Sequence, residues 1–387
     1  MSSITREEPN YFGAGPAYLP TEVLQQAAQD LVNYHGANLG IGEISHRDKR
    51  AINVVDETKQ KFIELYNIPD THEVLFLQGG GHTGFSSIAT NLLANFAKRT
   101  GKKGKGAYAV TGSWSAKAVE EAQRLGVDVE VLTNSKEVFG SYTDIQPFSE
   151  WKKPNPEETA YVYYCDNETV HGVEFPFIPQ FDGIEVAADM SSNILSKQID
   201  ISKFGLIFAG AQKNVGLAGV TIYIIKKTLI EQLPEAELRE LGIPVTPIAF
   251  HYPTAIKQNS LHNTLPIFTV QILNLVLAKL IKDGSLPEQE KRNDRKSSQL
   301  YQILDKHADF YNLPVAKGVR SEMNIVFTMK SPELEAKFLK EAEQANLTGL
   351  KGHRSVGGLR ASLYNAITEK SATLLAEFVD KFATENK

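Results

Sequence analysis

From about residue 20 to residue 225 the chain alternates apolar stripes of helical period with short runs of almost unbroken apolar, β-rich residues, and that alternation leaves few folds open. Seven runs read as strands: 73–77, 106–110, 129–132, 160–164, 184–188, 206–209 and 220–225. A strand covered on both faces loses the polar alternation of a one-sided sheet, so these runs predict a mostly parallel sheet between two helical layers, the α/β class. Two of the helices show in the stripes Val23, Leu24, Ala27, Ala28, Leu31, Val32 and Phe85, Ile88, Leu92, Phe96. Prolines in 243–253 and the polar stretch 257–264 interrupt the pattern. A large domain is therefore expected at 16–265, and a smaller C-terminal α+β domain at 266–387 with the N-terminal segment 1–15. Its elements are an apolar helix from Pro266, helices at 287–306, 332–345 and 369–382, and a strand at 324–329.

Charge and composition remove whole classes of function. The net charge is -5 and the basic residues are scattered, so no broad positive face awaits a nucleic acid. The longest apolar stretch, 267–281, is broken by Gln271, Asn274 and Lys279 and falls short of the roughly 20 residues that a membrane span needs. A single cysteine, Cys165, makes an intramolecular disulfide impossible, and its apolar surroundings predict a buried, inert thiol. Residues 1–10 are polar and contain Glu7 and Glu8, unlike a secretion signal or a transit peptide. A cytoplasmic protein is expected. No metal is expected either, because His46, His82 and His353 are not at metal-ligand spacing.

Three local patterns carry chemistry. Lys213 lies in FAGAQKNVG (208–216), just beyond the end of a strand and within a glycine-rich turn, at the sheet edge where ligands bind in open α/β folds. Asp189 closes the run IEVAAD (184–189), 24 residues earlier. An amine and a carboxylate facing one pocket suit pyridoxal phosphate: the amine condenses with its aldehyde, and the acid keeps its pyridine nitrogen protonated so that the ring withdraws electrons. The competing reading is an ordinary ion pair at a strand end, of little worth if exposed. The second pattern, QGGGHTG (78–84), joins a strand to a helix and offers backbone N–H groups to an anion at the helix N-terminus. It matches neither the dinucleotide nor the nucleoside-triphosphate loop. Thirdly, Trp114 in TGSWS (111–115) follows another strand at the same edge, where an indole either stacks on a planar ring or packs in the core.

Taken with FGAGPA (12–17), GEISHR (42–47), NETVHG (167–172), ADMSS (188–192), AQKN (211–214), Asn263-Thr264 and GLKGHRSVGG (349–358) followed by Arg360, these patterns resemble the phosphoserine aminotransferase family along nearly the whole chain. The resemblance implies a fold type I pyridoxal-phosphate-dependent transferase. It implies Lys213 as the covalent anchor and acid/base, Asp189 as the pyridinium partner, Trp114 as the stacking ring and Thr169 as the contact to the ring hydroxyl. Gly81, His82 and Gln212 would hold the cofactor phosphate, joined by Asn263 and Thr264 from a second subunit, so that active sites form at a homodimer interface. Phosphoserine and 3-phosphohydroxypyruvate, and glutamate and 2-oxoglutarate, would be the substrates. Each has an α-carboxylate and a distal anion, which calls for two cationic clusters. His353, Arg354 and Arg360 fit one of them, with Arg360 on the α-carboxylate, and His46 and Arg47 from the partner fit the other. His82 departs from the bacterial members, which carry arginine there. The rival readings are another fold type I enzyme, such as an alanine–glyoxylate aminotransferase or a cysteine desulfurase, and a catalytically silent binding protein on the same fold.

Overall fold

A computed structural model describes residues 6–387. All seven expected runs are strands: β1 (His72–Gly79), β2 (Lys105–Val110), β3 (Val129–Asn134), β4 (Thr159–Cys165), β5 (Val186–Asp189), β6 (Leu206–Gly210) and β7 (Gly219–Lys226). They form one sheet in the order β1-β7-β6-β5-β4-β2-β3. Only β7 runs against its neighbours, while β6-β5-β4-β2-β3 pair in parallel. Six strands therefore point the same way, and the loops after β1, β2, β4, β5 and β6 gather at one edge.

The period-two alternation of side chains makes the two layers. On one face Phe76, Val162, Tyr164, Ile207 and Ile222 pack with Val54, Val55 and Phe62 of helix α2 (Lys49–Tyr66). The opposite face carries Leu75, Tyr108, Tyr163, Phe208 and Tyr223. These meet Phe85, Ile88, Leu92 and Phe96 of α3 (Gly81–Thr100), with Ala118 and Ala122 of α4 (Ser113–Arg124) beside them. Helix α3 lies close because Gly84 has no side chain: a Cβ there would sit 2.2 Å from the Phe208 ring. Helix α1 (Thr21–Val32) follows the first expected stripe. Helix α2 was not anticipated. Its buried residues recur at helical spacing within a charge-rich segment, and it is bounded by the Asp48 cap on the Arg50 N–H and by Asn67 in the left-handed region.

The smaller unit is an antiparallel sheet, β8 (Tyr311–Asn312), β9 (Asn324–Met329) and β10 (Leu359–Ser362). Its core of Phe310, Phe327, Phe338, Leu375 and Phe382 is closed by two helices, Pro332–Gln344 and Glu369–Asn386. The N-terminal arm enters this core through buried Phe12, whose N–H donates to the Thr348 carbonyl at 2.8 Å and whose carbonyl accepts from Ser362 at 3.0 Å. Helix α5 (Ile267–Lys282) packs with the large unit: Val270, Leu273 and Leu277 belong to the same core as α2. A division at 265/266 would cut through that packing. The change of partners falls along helix α6 (Ser285–Lys306), whose Leu286 faces the large core and whose Leu300 and Leu304 face the small one. Proline and polar residues before Ile267 mark a loop rather than the seam. Among the described residues no helix is long and apolar enough to cross a membrane.

Leu273→Ala should destabilise the large unit by about 2–5 kcal/mol in urea unfolding, the usual cost of emptying a packed leucine site. A loss near zero would detach α5 from this core.

Candidate active site

The strand-end loops enclose a slot of about 150 Å³, lined among others by Gly81, His82, Trp114, Asn167, Thr169, Asp189, Gln212 and Lys213. Seven of the residues expected from sequence thus meet in one place. Asp189, the last residue of β5, is 4 % exposed and accepts from the Ser191 N–H at 2.8 Å. Burial raises its pKa, and the Ser191 hydrogen bond and the Lys213 charge oppose that rise. Lys213 is 9 % exposed and its Nζ donates to Thr169 Oγ1 at 2.6 Å, 6.0 Å from the centroid of the Trp114 ring. The Thr169 carbonyl accepts from Arg360 Nη1 at 3.1 Å, so a single threonine touches both the amine and the guanidinium.

Trp114 is fixed from below. Buried Glu168 accepts from the backbone N–H groups of Trp114 (2.9 Å) and Ser115 (2.8 Å) and from the Ser115 hydroxyl (2.6 Å). A carboxylate at the first turn of α4 satisfies N–H groups that have no partner within the helix. At the start of α3, Gly79 has φ +135° and a Cβ there would lie 2.0 Å from Thr83 Oγ1, so this strand-to-helix turn requires glycine. The turn brings the first residues of α3, Gly81 and His82, to the slot, at a helix N-terminus whose first N–H groups have no partner within the helix.

The slot fits pyridoxal phosphate: an amine for the aldehyde, a buried acid for the ring nitrogen, an indole for the ring face and a helix N-terminus for the phosphate. Two buried polar atoms here, Asn167 Oδ1 and Trp114 Nε1, find no partner among the described residues. Cys165 also lines the slot, at the end of β4, where burial pushes its thiol well above the usual range and so disfavours the thiolate that a desulfurase would need.

Above the slot lies a cationic rim. His353 is held down by partial burial and then by Arg360, Arg354 and Lys117. His171 is lowered to about 4, first by burial and then by His353, Arg360 and Lys136. Lys117 Nζ sits 4.5 Å from the Trp114 centroid. Sequence reasoning quoted the segment containing Asn167, Glu168 and His171 without giving these residues a role, and it missed Lys117, which its position one helical turn after Trp114 could have flagged. Four expected residues lie elsewhere in the chain. Asn263 and Thr264 bind the Gln78 side chain through the Asn263 amide and the Thr264 carbonyl, and His46 and Arg47 sit in the loop before α2. None of them lines the slot.

The sheet, its edge and the slot define a pyridoxal-phosphate-dependent transferase of fold type I. The aminotransferase class-V family model matches residues 10–375. The phosphoserine aminotransferase of Saccharomyces cerevisiae is 53 % identical, with 99 % of this chain and 100 % of that protein covered. A solved phosphoserine aminotransferase from Bacillus circulans subsp. alkalophilus superposes with a TM-score of 0.90 at 37 % identity, over 99 % of this chain and 100 % of that one. The pyridoxal-phosphate-bound phosphoserine aminotransferase of Trichomonas vaginalis gives 0.86 at 32 % identity, over 96 % and 99 %. The chain belongs to the class-V aminotransferases and, within them, to the phosphoserine aminotransferase family. Its cofactor is pyridoxal phosphate.

A histidine held at about 4 when folded, against an ordinary value of 6.5, contributes stability that is present above pH 6.5 and is lost as pH falls through about 4. His171→Gln should therefore flatten the fall in Tm between those two values. Parallel Tm curves for variant and wild type would contradict the placement of His171 against the rim.

Proposed function

We propose that the chain transfers the amino group of phosphoserine to 2-oxoglutarate, giving 3-phosphohydroxypyruvate and glutamate, as a step of serine biosynthesis. The observation that carries this reading is the rim: Arg360 donates to the carbonyl of the threonine that binds Lys213, Lys117 lies over the Trp114 ring, and the Arg360 charge reaches both His353 and His171, with no carboxylate ion-paired to any of these four among the described residues. Cations gathered without counter-charge suit a substrate that brings two anions, as both substrates do. An alanine–glyoxylate enzyme would leave the distal cations unmatched.

When bound, pyridoxal phosphate supplies an aldehyde for the amino group and a protonated ring that draws electrons from the substrate α-carbon. Lys213 would hold it covalently through Nζ, and the same Nζ, placed by Thr169, would act as the acid/base that moves a proton at the substrate α-carbon. Asp189 would hold the proton on the ring nitrogen, its burial keeping water from competing for that bond. Trp114 would cover the ring face, and Thr169 would meet the ring hydroxyl. Gly81 and His82 N–H groups and the Gln212 amide would hold the phosphate, with Asn263 and Thr264 of the partner. Arg360, in one cluster with His353 and Arg354, would anchor the α-carboxylate, and the partner's His46 and Arg47 would take the distal anion.

A homodimer supplies those four residues. Exposed apolar side chains lie next to both segments concerned: Leu31 (46 %) and Val32 (73 %) beside 40–47, and Ile248 (59 %) beside Asn263. Patches of this kind favour association. A cytoplasmic setting agrees with a lone buried thiol.

With 2-oxoglutarate as acceptor, phosphoserine should be strongly preferred over alanine and serine as donor in a coupled assay. Alanine turning over as well as phosphoserine would overturn the reading. Lys213→Ala should lose at least about 100- to 10,000-fold in kcat, the worth of a positioned proton-transfer group alone. Mixing inactive Lys213→Ala with inactive Arg47→Ala subunits should restore activity in heterodimers, and no recovery would exclude sites shared between subunits.

A further inference from the structure

Lys296 of α6 is a buried amine outside the slot, 2 % exposed. Its Nζ donates to three backbone carbonyls of one segment, those of Leu363 (3.1 Å), Tyr364 (3.0 Å) and Ile367 (3.1 Å). The charged groups that face it are Glu369, at the start of the C-terminal helix and held by Arg295 at 2.5 Å, and Arg292, one turn earlier on α6. Three carbonyls require three protons. An ammonium has three and a neutral amine two, so the bonding pattern belongs to the charged form. An unpaired buried charge is costly, and three carbonyl dipoles aimed at it offset part of that cost.

The segment so bound joins β10, which carries Arg360, to the C-terminal helix, and it also bridges the two units. The Asn365 N–H donates to Asn214 Oδ1 at 3.0 Å and its side-chain amide to the Leu195 carbonyl at 2.7 Å. Asn214 follows Lys213 directly. The Tyr364 hydroxyl donates to the Ala14 carbonyl at 2.7 Å. The next residue, Gly15, backs the Lys213 stem, where a Cβ would lie 3.5 Å from Lys213 Cγ. The same five residues thus touch the neighbour of Lys213, the arm behind it, and the strand that presents Arg360.

We propose that Lys296 is a positioning residue for the reaction: its ammonium fixes the segment 363–367 and thereby sets Arg360 against Lys213 across the junction of the two units. The assignment rests on Arg360 as the α-carboxylate anchor, and it adds a residue that touches neither substrate nor cofactor. Burial lowers the Lys296 pKa to about 7, with Glu369 opposing and Arg292 reinforcing the shift. The third proton is therefore present below that pH and is lost as pH rises through it, so the segment loosens toward alkaline pH.

The test is calorimetric titration of the holoenzyme with glutarate, an unreactive dicarboxylate, using wild type and Lys296→Met between pH 6 and pH 9. At pH 6 the variant should bind glutarate about 10- to 100-fold more weakly, the scale of effect expected when a remote change misplaces a binding group by an ångström or less. The gap should narrow by pH 9, and KM for 2-oxoglutarate should rise with kcat little changed. A folded variant with wild-type glutarate affinity at pH 6, or a gap independent of pH, overturns the proposal. Should Lys296→Met fail to fold, Asn365→Ala keeps the ammonium, its carbonyls and the backbone N–H bond to Asn214 but cuts the side-chain tie to the Leu195 carbonyl across the junction. It should weaken glutarate likewise, and an unchanged affinity overturns the proposal. Glutarate binding does not require turnover, so a wild type that shows this pH dependence without transaminating phosphoserine would sink the functional reading and leave the positioning role intact.

Discussion

Asp189 ends β5 with its carboxyl group out of water, and an ionised acid so placed costs several kcal/mol unless hydrogen bonds and opposite charge meet it. The chain meets part of that demand, with the Ser191 N–H and the Lys213 charge. The protonated ring nitrogen of a bound cofactor would meet the rest. Burial and Lys213 thus act in opposite directions on a single carboxyl, and both depend on where the sheet places its strand ends. Because β4, β5 and β6 run in parallel and in register, Cys165, Asp189 and Phe208 stand side by side, and the turn after β6 brings Lys213 back over them.

The rest of the site is anchored to this pair through groups that each serve two neighbours. Thr169 accepts from Lys213 with its hydroxyl and from Arg360 with its carbonyl. Glu168, one residue earlier, sets the first turn of α4 and with it the indole of Trp114. Asn167 donates to Asn324 at 2.8 Å, at the start of β9 in the smaller unit. Three consecutive residues after β4 therefore hold the ring-stacking group, the anchor amine and the small unit. The proposed Lys296 contact reaches the same junction from the opposite side, through 363–367.

Much of this was legible in the sequence because it depends on local chemistry. Unbroken apolar runs specify strands covered on both faces, and a glycine-rich turn, a lysine or an aspartate at such a strand's end can be read without knowing what lies across the sheet. The segment carrying Arg360 was recognised by its residues, but β10 was not read as a strand: its four residues, Leu359–Ser362, are too few to show a period. Glu168 and Ser115 lie 53 residues apart, and no local pattern announces a cap supplied from that distance. The polar, proline-marked stretch before Ile267 reads as a seam, yet the apolar side of α5 is claimed by the large core, a choice made by packing and not by punctuation. Asn263, Thr264, His46 and Arg47 stand outside the slot of a single chain, and no local pattern in the sequence shows which slot they would serve.

The central claim is that one amine, Lys213, carries the cofactor opposite a buried acid. Borohydride reduction of the holoenzyme followed by peptide mass mapping tests it most directly. The account predicts the reduced pyridoxyl group on Lys213 alone. Finding it on another lysine, or on none, would contradict it.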